Sequence, residues 1–174
     1  MLVGSMGAGK TTVGTGLARA LGRPLVDNDR SLAVSGESAA GLARRAGLVA
    51  LHRRECQELR TALASPTAAV VTAAASTVED PACRAALAPH LVVWLRVGPD
   101  VAASRLPAGG SHRPDLGGDP AAALRALAAR RDRWYAAVAD VTVDVGDRPA
   151  AAVVDEVLDA LGPAGTGERD RGSP

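Results

Sequence analysis

The residues best suited to chemistry lie in one short segment near the start of the chain, Gly4-Ser5-Met6-Gly7-Ala8-Gly9-Lys10-Thr11-Thr12. Their spacing, G-x-x-x-x-G-K-[ST], is that of a phosphate-binding P-loop. In such a loop, glycines let successive backbone N–H groups point at a phosphate, and the following helix adds the positive end of its dipole. Lys10 is the only lysine in the chain, and it would bring a mobile ammonium to the outer phosphates. The Thr11 hydroxyl can bind Mg²⁺, so this segment predicts a nucleotide-binding site.

A pair of carboxylates forms the second pattern with chemical potential. Asp27 and Asp29 lie one residue apart, directly after a short apolar segment at residues 24–26. In a strand, residues two apart point to the same side. An isolated D-x-D is more often a solvated turn. Here it follows a P-loop by one helix and one strand, so we predict that both carboxylates point into the site.

A third candidate is the loop over about residues 107–118, which is rich in glycine and proline. Arg113 lies at its centre, followed by Pro114. An arginine in such a loop is usually only solvated. In a chain that carries a P-loop, it can close over the phosphates, and we predict that this segment is a mobile lid.

The elements that must position these residues alternate along the chain. Apolar runs predict strands at residues 1–3, 24–26, 68–75, 91–97 and 141–145, with helical patterns between them. About five strands alternating with helices predict an α/β fold, with helices on both faces of a parallel sheet. Ligands of such sheets bind beyond the carboxyl ends of the strands. The P-loop, Asp27, Asp29 and the strand end near Ala75 should therefore meet.

Composition limits the class of protein. The chain has 174 residues, 47% of them hydrophobic, with a net charge of +1. This balance argues against a broad nucleic-acid or membrane surface, and no apolar run approaches the ~20 residues of a membrane span. Two cysteines without a metal-like spacing fit a reducing cytosol, so we predict a cytoplasmic protein, and a monomer.

We expect one domain over residues 1–162 and a disordered tail over 163–174. Because Met1 falls almost on the P-loop, we also expect the true start to lie upstream.

With these residues in place, the chain resembles the shikimate kinase family from Leu2 to about Leu161. The opening L-V-G-S-M-G-A-G-K-T-T-V-G is close to the first motif of that family, and V-D-N-D resembles its D-x-D. Arg113-Pro114 resembles the R-P of its lid, and Arg131 and Tyr135 resemble its R-x-x-x-Y. The resemblance implies a three-layer P-loop kinase fold with a central five-stranded parallel sheet and a mobile lid. It also implies transfer of the γ-phosphoryl of ATP to the 3-hydroxyl of shikimate, in the pathway to chorismate and aromatic amino acids.

The resemblance further implies a role for each matching residue. Lys10, Asp29 and Arg113 would be catalytic: Asp29 would hold substrate hydroxyls and take the proton, and Arg113 would neutralise charge on the transferring phosphoryl. Thr11 would hold Mg²⁺ with help from Asp27 through water. Arg131 would pair with the substrate carboxylate, and the acceptor pocket would also include the residues at the positions of His52, Arg53 and Ala75. The nucleotide would contact Gly7, Ala8, Gly9, Lys10, Thr11, Thr12, Arg113 and, around the adenine, Arg105 and Arg148.

Two departures from the family pattern fall on the acceptor side. The F-R-x-x-E of the family is replaced by Leu51-His52-Arg53-Arg54-Glu55, so a carboxylate-binding arginine becomes His52. Arg53 is adjacent but would leave a helix about 100° away. The G-G-G of the family is replaced by Ala74-Ala75-Ser76, where side chains would narrow the approach of the backbone to a substrate. We therefore predict an altered acceptor pocket beside an intact ATP side.

Two other functions stay open from the sequence. Gluconate kinases share the early P-loop and a D-x-D, but their lysine-arginine pair after the third strand is absent here. A nucleotide-binding regulator without catalytic activity would explain His52 and Ala74-Ala75-Ser76. The presence of Asp29, Arg113 and Arg131 argues against that regulator, because a protein that only binds nucleotide does not need them.

Overall fold

The computed structural model describes residues 1–28, 38–106 and 118–162. In these ranges five strands form one parallel sheet in the order β2-β3-β1-β4-β5. The predicted α/β class and five-stranded parallel sheet are confirmed. The strands are β1 (Leu2–Val3), β2 (Leu25–Asp27), β3 (Val70–Thr72), β4 (Val93–Arg96) and β5 (Val141–Asp144).

β3 is shorter than its apolar run. At β3 only Val70–Thr72 belongs to the sheet, although the apolar run extends from residue 68 to residue 75. Beyond Thr72 the chain turns into a 3₁₀ turn at Thr77–Glu79. Residues 73–76 therefore lie past the carboxyl end of β3, where ligands of parallel sheets bind.

Helices cover the sheet, and two of them begin with the Asp-Pro signal. Asp80 accepts hydrogen bonds from the backbone N–H groups of Ala82 and Cys83, and Asp119 accepts one from Ala122. In each case proline follows in the first turn, where its missing N–H costs nothing. The helices are α1 (Lys10–Ala20), α2 (Ala39–Leu63), α3 (Pro81–Leu87), α4 (Pro99–Ser104), α5 (Pro120–Val138) and α6 (Ala150–Leu161).

The second helix contains a break. Gly47 has φ 83° and ψ 166°, so α2 consists of two helical segments that meet at this residue. A positive φ of this size favours glycine, which has no Cβ. The segment after the break carries His52 and the buried Glu55.

The core lies on both faces of the sheet, because neighbouring strand residues point to opposite sides. Leu2 packs with α1 and α6, whereas Val3 packs with α2, α3 and α5. In the second cluster, the rings of Trp94 and Tyr135 stack with their centroids 5.7 Å apart. This packing gives three layers and fixes α5, which carries Arg131.

Several predictions fall outside the described residues. They are Asp29, Arg113, the proposed lid except Gly118, and the proposed tail over 163–174. The single domain over 1–162 stays a prediction. No helix within the described ranges has the length and apolar character needed to cross a membrane.

Candidate active site

The glycine-rich segment joins the end of β1 to the start of α1, as the sequence predicts. Gly4, Gly7 and Gly9 all have positive φ values of 149°, 80° and 82°. A Cβ on Gly7 would lie 2.4 Å from the carbonyl oxygen of Ala102 in α4. Glycine is therefore required at this position both by the backbone conformation and by the close approach of α4.

Lys10 lies in the first turn of α1 and bends back over the loop. Its Nζ donates to the carbonyl oxygens of Gly4 and Ser5, each at 3.0 Å. Only 8% of the residue is exposed. The single ammonium of this segment is thus held at the mouth of the loop, where the phosphates of a nucleotide would lie.

Thr11 and Asp27 meet although they belong to different elements. The Thr11 hydroxyl donates to Asp27 Oδ2 at 2.8 Å, which places a carboxylate from the end of β2 beside the first turn of α1. Both groups offer hard oxygen ligands, the kind that Mg²⁺ prefers. Their chemistry and proximity fit the predicted metal position.

The two arginines predicted at the adenine lie on the other side of the loop. Arg105 donates to the carbonyl oxygen of Gly7 at 3.5 Å and also to that of Gly146. It therefore joins the P-loop to the turn after β5. Arg148 lies on that turn, where it donates to Asp144 O at 3.1 Å and pairs with Glu156. Both residues are exposed and accessible to a ligand.

On the acceptor side, Arg131 of α5 is buried and lies close to the P-loop. It shares a small cavity with Ser5, Met6 and Tyr135. Only 7% of its surface is exposed. The structure thus brings the arginine that was predicted to bind a carboxylate beside Ser5 and Met6 of the phosphate-binding loop.

Glu79, at the end of the 3₁₀ turn, is a residue that sequence reasoning missed. Its Oε1 accepts hydrogen bonds from Arg131 Nε at 2.5 Å and from Arg130 Nη2 at 2.6 Å. The two arginines are more than 50 residues away in sequence, so no local pattern predicts the contact. The only available signal was an acidic residue shortly after the third strand.

His52 and Arg53 both line a cavity of about 1070 Å³ that also exposes Ser76 and Glu79. Burial lowers the pKa of His52 below its ordinary value of 6.5, and the charge of Arg131 lowers it further, while Glu79 acts in the opposite direction. His52 is therefore neutral at pH 7 and near Arg131. Arg53 is exposed.

A hydrogen-bond network shapes the chain after β3, and sequence reasoning missed its main members. Asn28 is buried; its amide donates to Glu55 O at 3.3 Å and its Oδ1 accepts from Ala74 N at 3.4 Å. The Ser76 hydroxyl donates to the buried Glu55 carboxylate. These contacts hold Ala74, Ala75 and Ser76 against α2.

Tyr135 fixes the same segment from α5. Its hydroxyl donates to the carbonyl oxygen of Ala75 at 2.8 Å. The carbonyl of Ala75 is thereby engaged by the protein. A side chain is present at each of residues 74–76, so the backbone there is less open to a ligand than three glycines would leave it.

Two thiols and a carboxylate also meet beside this site. Potential ligand atoms of Cys56, Asp80 and Cys83 lie within 4.8 Å of one another. A soft metal such as Zn²⁺ can use such ligands. However, both cysteines are buried, and the Asp80 carboxylate already caps α3. Core packing and helix capping account for the arrangement.

Comparisons with known proteins agree with this geometry. The sequence profile of the shikimate kinase family matches residues 6–162. The shikimate kinase of Symbiobacterium thermophilum is 36% identical over 164 residues, covering 92% of this chain and 94% of its own. That of Mycobacterium tuberculosis is 38% identical over 163 residues and covers 92% of each chain.

Solved structures give the same result. The shikimate kinase of Acinetobacter baumannii in complex with shikimate superposes with a TM-score of 0.86 at 29% identity, covering 92% of this chain and 90% of the other. The shikimate kinase of Aquifex aeolicus, at 24% identity and a TM-score of 0.76, covers 95% and 98% and supports the fold. Most of the P-loop and Arg131 lie within the matched region, and the chain belongs to the shikimate kinase family.

Proposed function

We propose that this protein transfers the γ-phosphoryl group of ATP to a hydroxyl of a small hydroxy acid, and that the acid is shikimate. The observation that carries this proposal is the position of Arg131, a buried cation beside Ser5 and Met6 of the P-loop. A loop suited to phosphates and a cation suited to a carboxylate then face one small volume. The relatives at 36% and 38% identity named shikimate kinase support the choice of acceptor.

Phosphoryl transfer depends mainly on positioning and on stabilising charge. The backbone N–H groups of residues 7–12 bind the phosphates. Lys10 exchanges its bonds to Gly4 and Ser5 for phosphate oxygens. Arg105 and Arg148 flank the base of the nucleotide from the α4 and β5 sides.

Asp29 and Arg113 retain their expected roles in this proposal. Asp29 orients the acceptor hydroxyl and accepts its proton. Arg113 neutralises charge on the transferring group, and closure of its segment excludes water that would otherwise hydrolyse ATP. Arg131 holds the acceptor carboxylate, with His52, Arg53 and Ala75 around it.

Thr11 and Asp27 would hold Mg²⁺. When bound, Mg²⁺ neutralises part of the charge on the phosphate oxygens. The hydrogen bond that joins the two side chains supports this assignment, because it brings two side-chain oxygens together beside the phosphate loop. The cytoplasmic location and the monomeric state stay predictions from the sequence.

A coupled assay tests the proposal. Purified protein with ATP and Mg²⁺ should consume ATP when shikimate is added, and gluconate should serve poorly or not at all. Turnover with gluconate alone would contradict the choice of acceptor. Tight ATP binding without turnover of either acid would favour the regulator, for which the pairing of Arg131 with Glu79 is the structural argument.

A further inference from the structure

The guanidinium of Arg131 already has an anionic partner within the protein. Its Nε donates to Glu79 Oε1 at 2.5 Å, and the Arg131 side chain is only 9% exposed. A carboxylate acceptor that uses this guanidinium therefore meets a carboxylate of the chain itself. Charge-assisted hydrogen bonds of this kind are among the stronger ones in proteins.

Glu79 is anionic at neutral pH. Partial burial acts to raise its pKa, but hydrogen bonds from Arg131 and Arg130 outweigh that effect, and the pKa lies below the ordinary value of 4.5. His52 adds no positive charge to offset it, because burial and Arg131 lower its pKa. Glu79 therefore opposes an incoming anion with a full negative charge.

The position of Glu79 allows its side chain to move while its backbone stays fixed. Arg84 donates to the carbonyl oxygen of Glu79 at 3.0 Å, which anchors the main chain. The side chain is 28% exposed, and its second partner, Arg130, is 55% exposed. Glu79 can leave Arg131 and keep its bond to Arg130 on the solvent side. Glu79 can therefore release Arg131 and still remain in an ion pair with Arg130.

We propose that Glu79 is a specificity-determining residue that competes with the carboxylate of the acceptor for Arg131. A carboxylate that takes the Nε–H of Arg131 must displace Glu79, so the charge of residue 79 reduces the preference for acidic over neutral acceptors. This inference rests on the proposed function, since it assumes that a carboxylate acceptor uses Arg131. Glu79 would thus control the preference for acidic over neutral acceptors, which neither the P-loop nor the D-x-D determines.

The test compares an acidic ligand with a neutral ligand of similar shape. Dissociation constants for shikimate and for its methyl ester are measured by calorimetry on the wild type and on Glu79→Gln. Removing the competing charge should strengthen binding of shikimate about tenfold or more and leave the ester within about twofold. The acid-to-ester ratio of the dissociation constants should therefore fall in the variant. Glu79→Ala should shift the ratio in the same direction. It replaces Glu79→Gln in the test if the glutamine variant does not fold.

Glu58→Gln is the matched control. Glu58 pairs with Arg54 on α2 at 2.5 Å, an ion pair between partly exposed side chains of that helix. Its substitution removes one negative charge without touching Arg131 and should leave the ratio unchanged. A merely structural role of Glu79 would weaken both ligands together.

Two outcomes would overturn the inference, and they are distinguishable. If the wild type phosphorylates shikimate but the acid-to-ester ratio does not change in either Glu79 variant, Glu79 does not compete. If ATP binds but neither the wild type nor the variants bind or phosphorylate shikimate, the proposed acceptor is wrong and the inference fails with it.

Discussion

The hydroxyl of Thr11 donates a hydrogen bond to Asp27 Oδ2 across 2.8 Å, which ties the start of α1 to the end of β2. The contact needs both the helix that follows the P-loop and the strand that follows that helix. It also places the Asp27 carboxylate, 7% exposed, beside the phosphate loop.

Asp27→Asn should therefore impair the response to Mg²⁺. The amide keeps the shape and can still accept the bond from Thr11, but it lacks the charge that attracts a divalent cation. We expect at least tenfold lower activity at low Mg²⁺, partly restored at high Mg²⁺. Initial rates over a Mg²⁺ series give the measurement. Asp159→Asn, on the exposed side of α6, is the control, and an unaltered Mg²⁺ dependence of Asp27→Asn would remove Asp27 from the metal position.

Lys10→Met should abolish turnover while the fold survives. Methionine replaces the apolar stem but not the ammonium, so the outer phosphates lose their mobile cation. The carbonyls of Gly4 and Ser5 lose a donor, at a cost of about 1–3 kcal/mol each. Circular dichroism and thermal unfolding check the fold, and the coupled assay checks the activity. Undiminished turnover in a folded variant would refute the assignment of the phosphate site.

His52→Arg should lower the KM for shikimate. A guanidinium at this position adds a permanent charge beside Arg131 and also gives Glu79 another partner, which frees Arg131 for the substrate. We expect a several-fold fall in KM with kcat changed less. His90→Arg, on a more distant part of the same cavity lining, is the control. If KM stays the same, either Arg53 already fills this role or the acceptor is a different compound.

The binding of shikimate should strengthen in acid through protonation of His52. Burial and Arg131 place its pKa below 6.5, so the imidazole is neutral at pH 7 and becomes charged only below that value. Folding stability changes in the opposite direction, because the unfolded chain binds this proton more readily than the folded chain. The contribution of His52 to the free energy of unfolding is complete above pH 6.5 and is lost as the pH drops through the folded-state pKa. An NMR titration of the histidines, assigned with His52→Gln, gives the midpoint. A midpoint at or above 6.5, or a dissociation constant for shikimate that does not fall as the pH drops through the midpoint, would contradict the expectation.

The sequence predicts those parts of the fold that depend on the spacing of neighbouring residues. The P-loop follows from the spacing of Gly4, Gly9 and Lys10, and the parallel sheet from apolar runs alternating with helices. The limits of β3 could not be predicted, because Ala73 and Ala74 are as apolar as the strand before them and only sheet pairing ends it at Thr72.

The acceptor side shows why the rest of the site could not be predicted. The pairing of Glu79 with Arg131 depends on how the 3₁₀ turn docks on α5. The network of Asn28, Ser76 and Glu55 likewise joins three separate elements. Such contacts arise from tertiary packing and have no counterpart in the spacing of neighbouring residues.

The break at Gly47 has a consequence for engineering of this chain. Since the helical geometry is interrupted there, residues 39–46 and residues 48–63 form two separate helical segments. The second segment carries His52 and Glu55, and the buried side chains of Leu51 and Leu59 anchor it in the core. Substitutions at the exposed Arg44 and Ala46 of the first segment should leave the acceptor geometry unchanged.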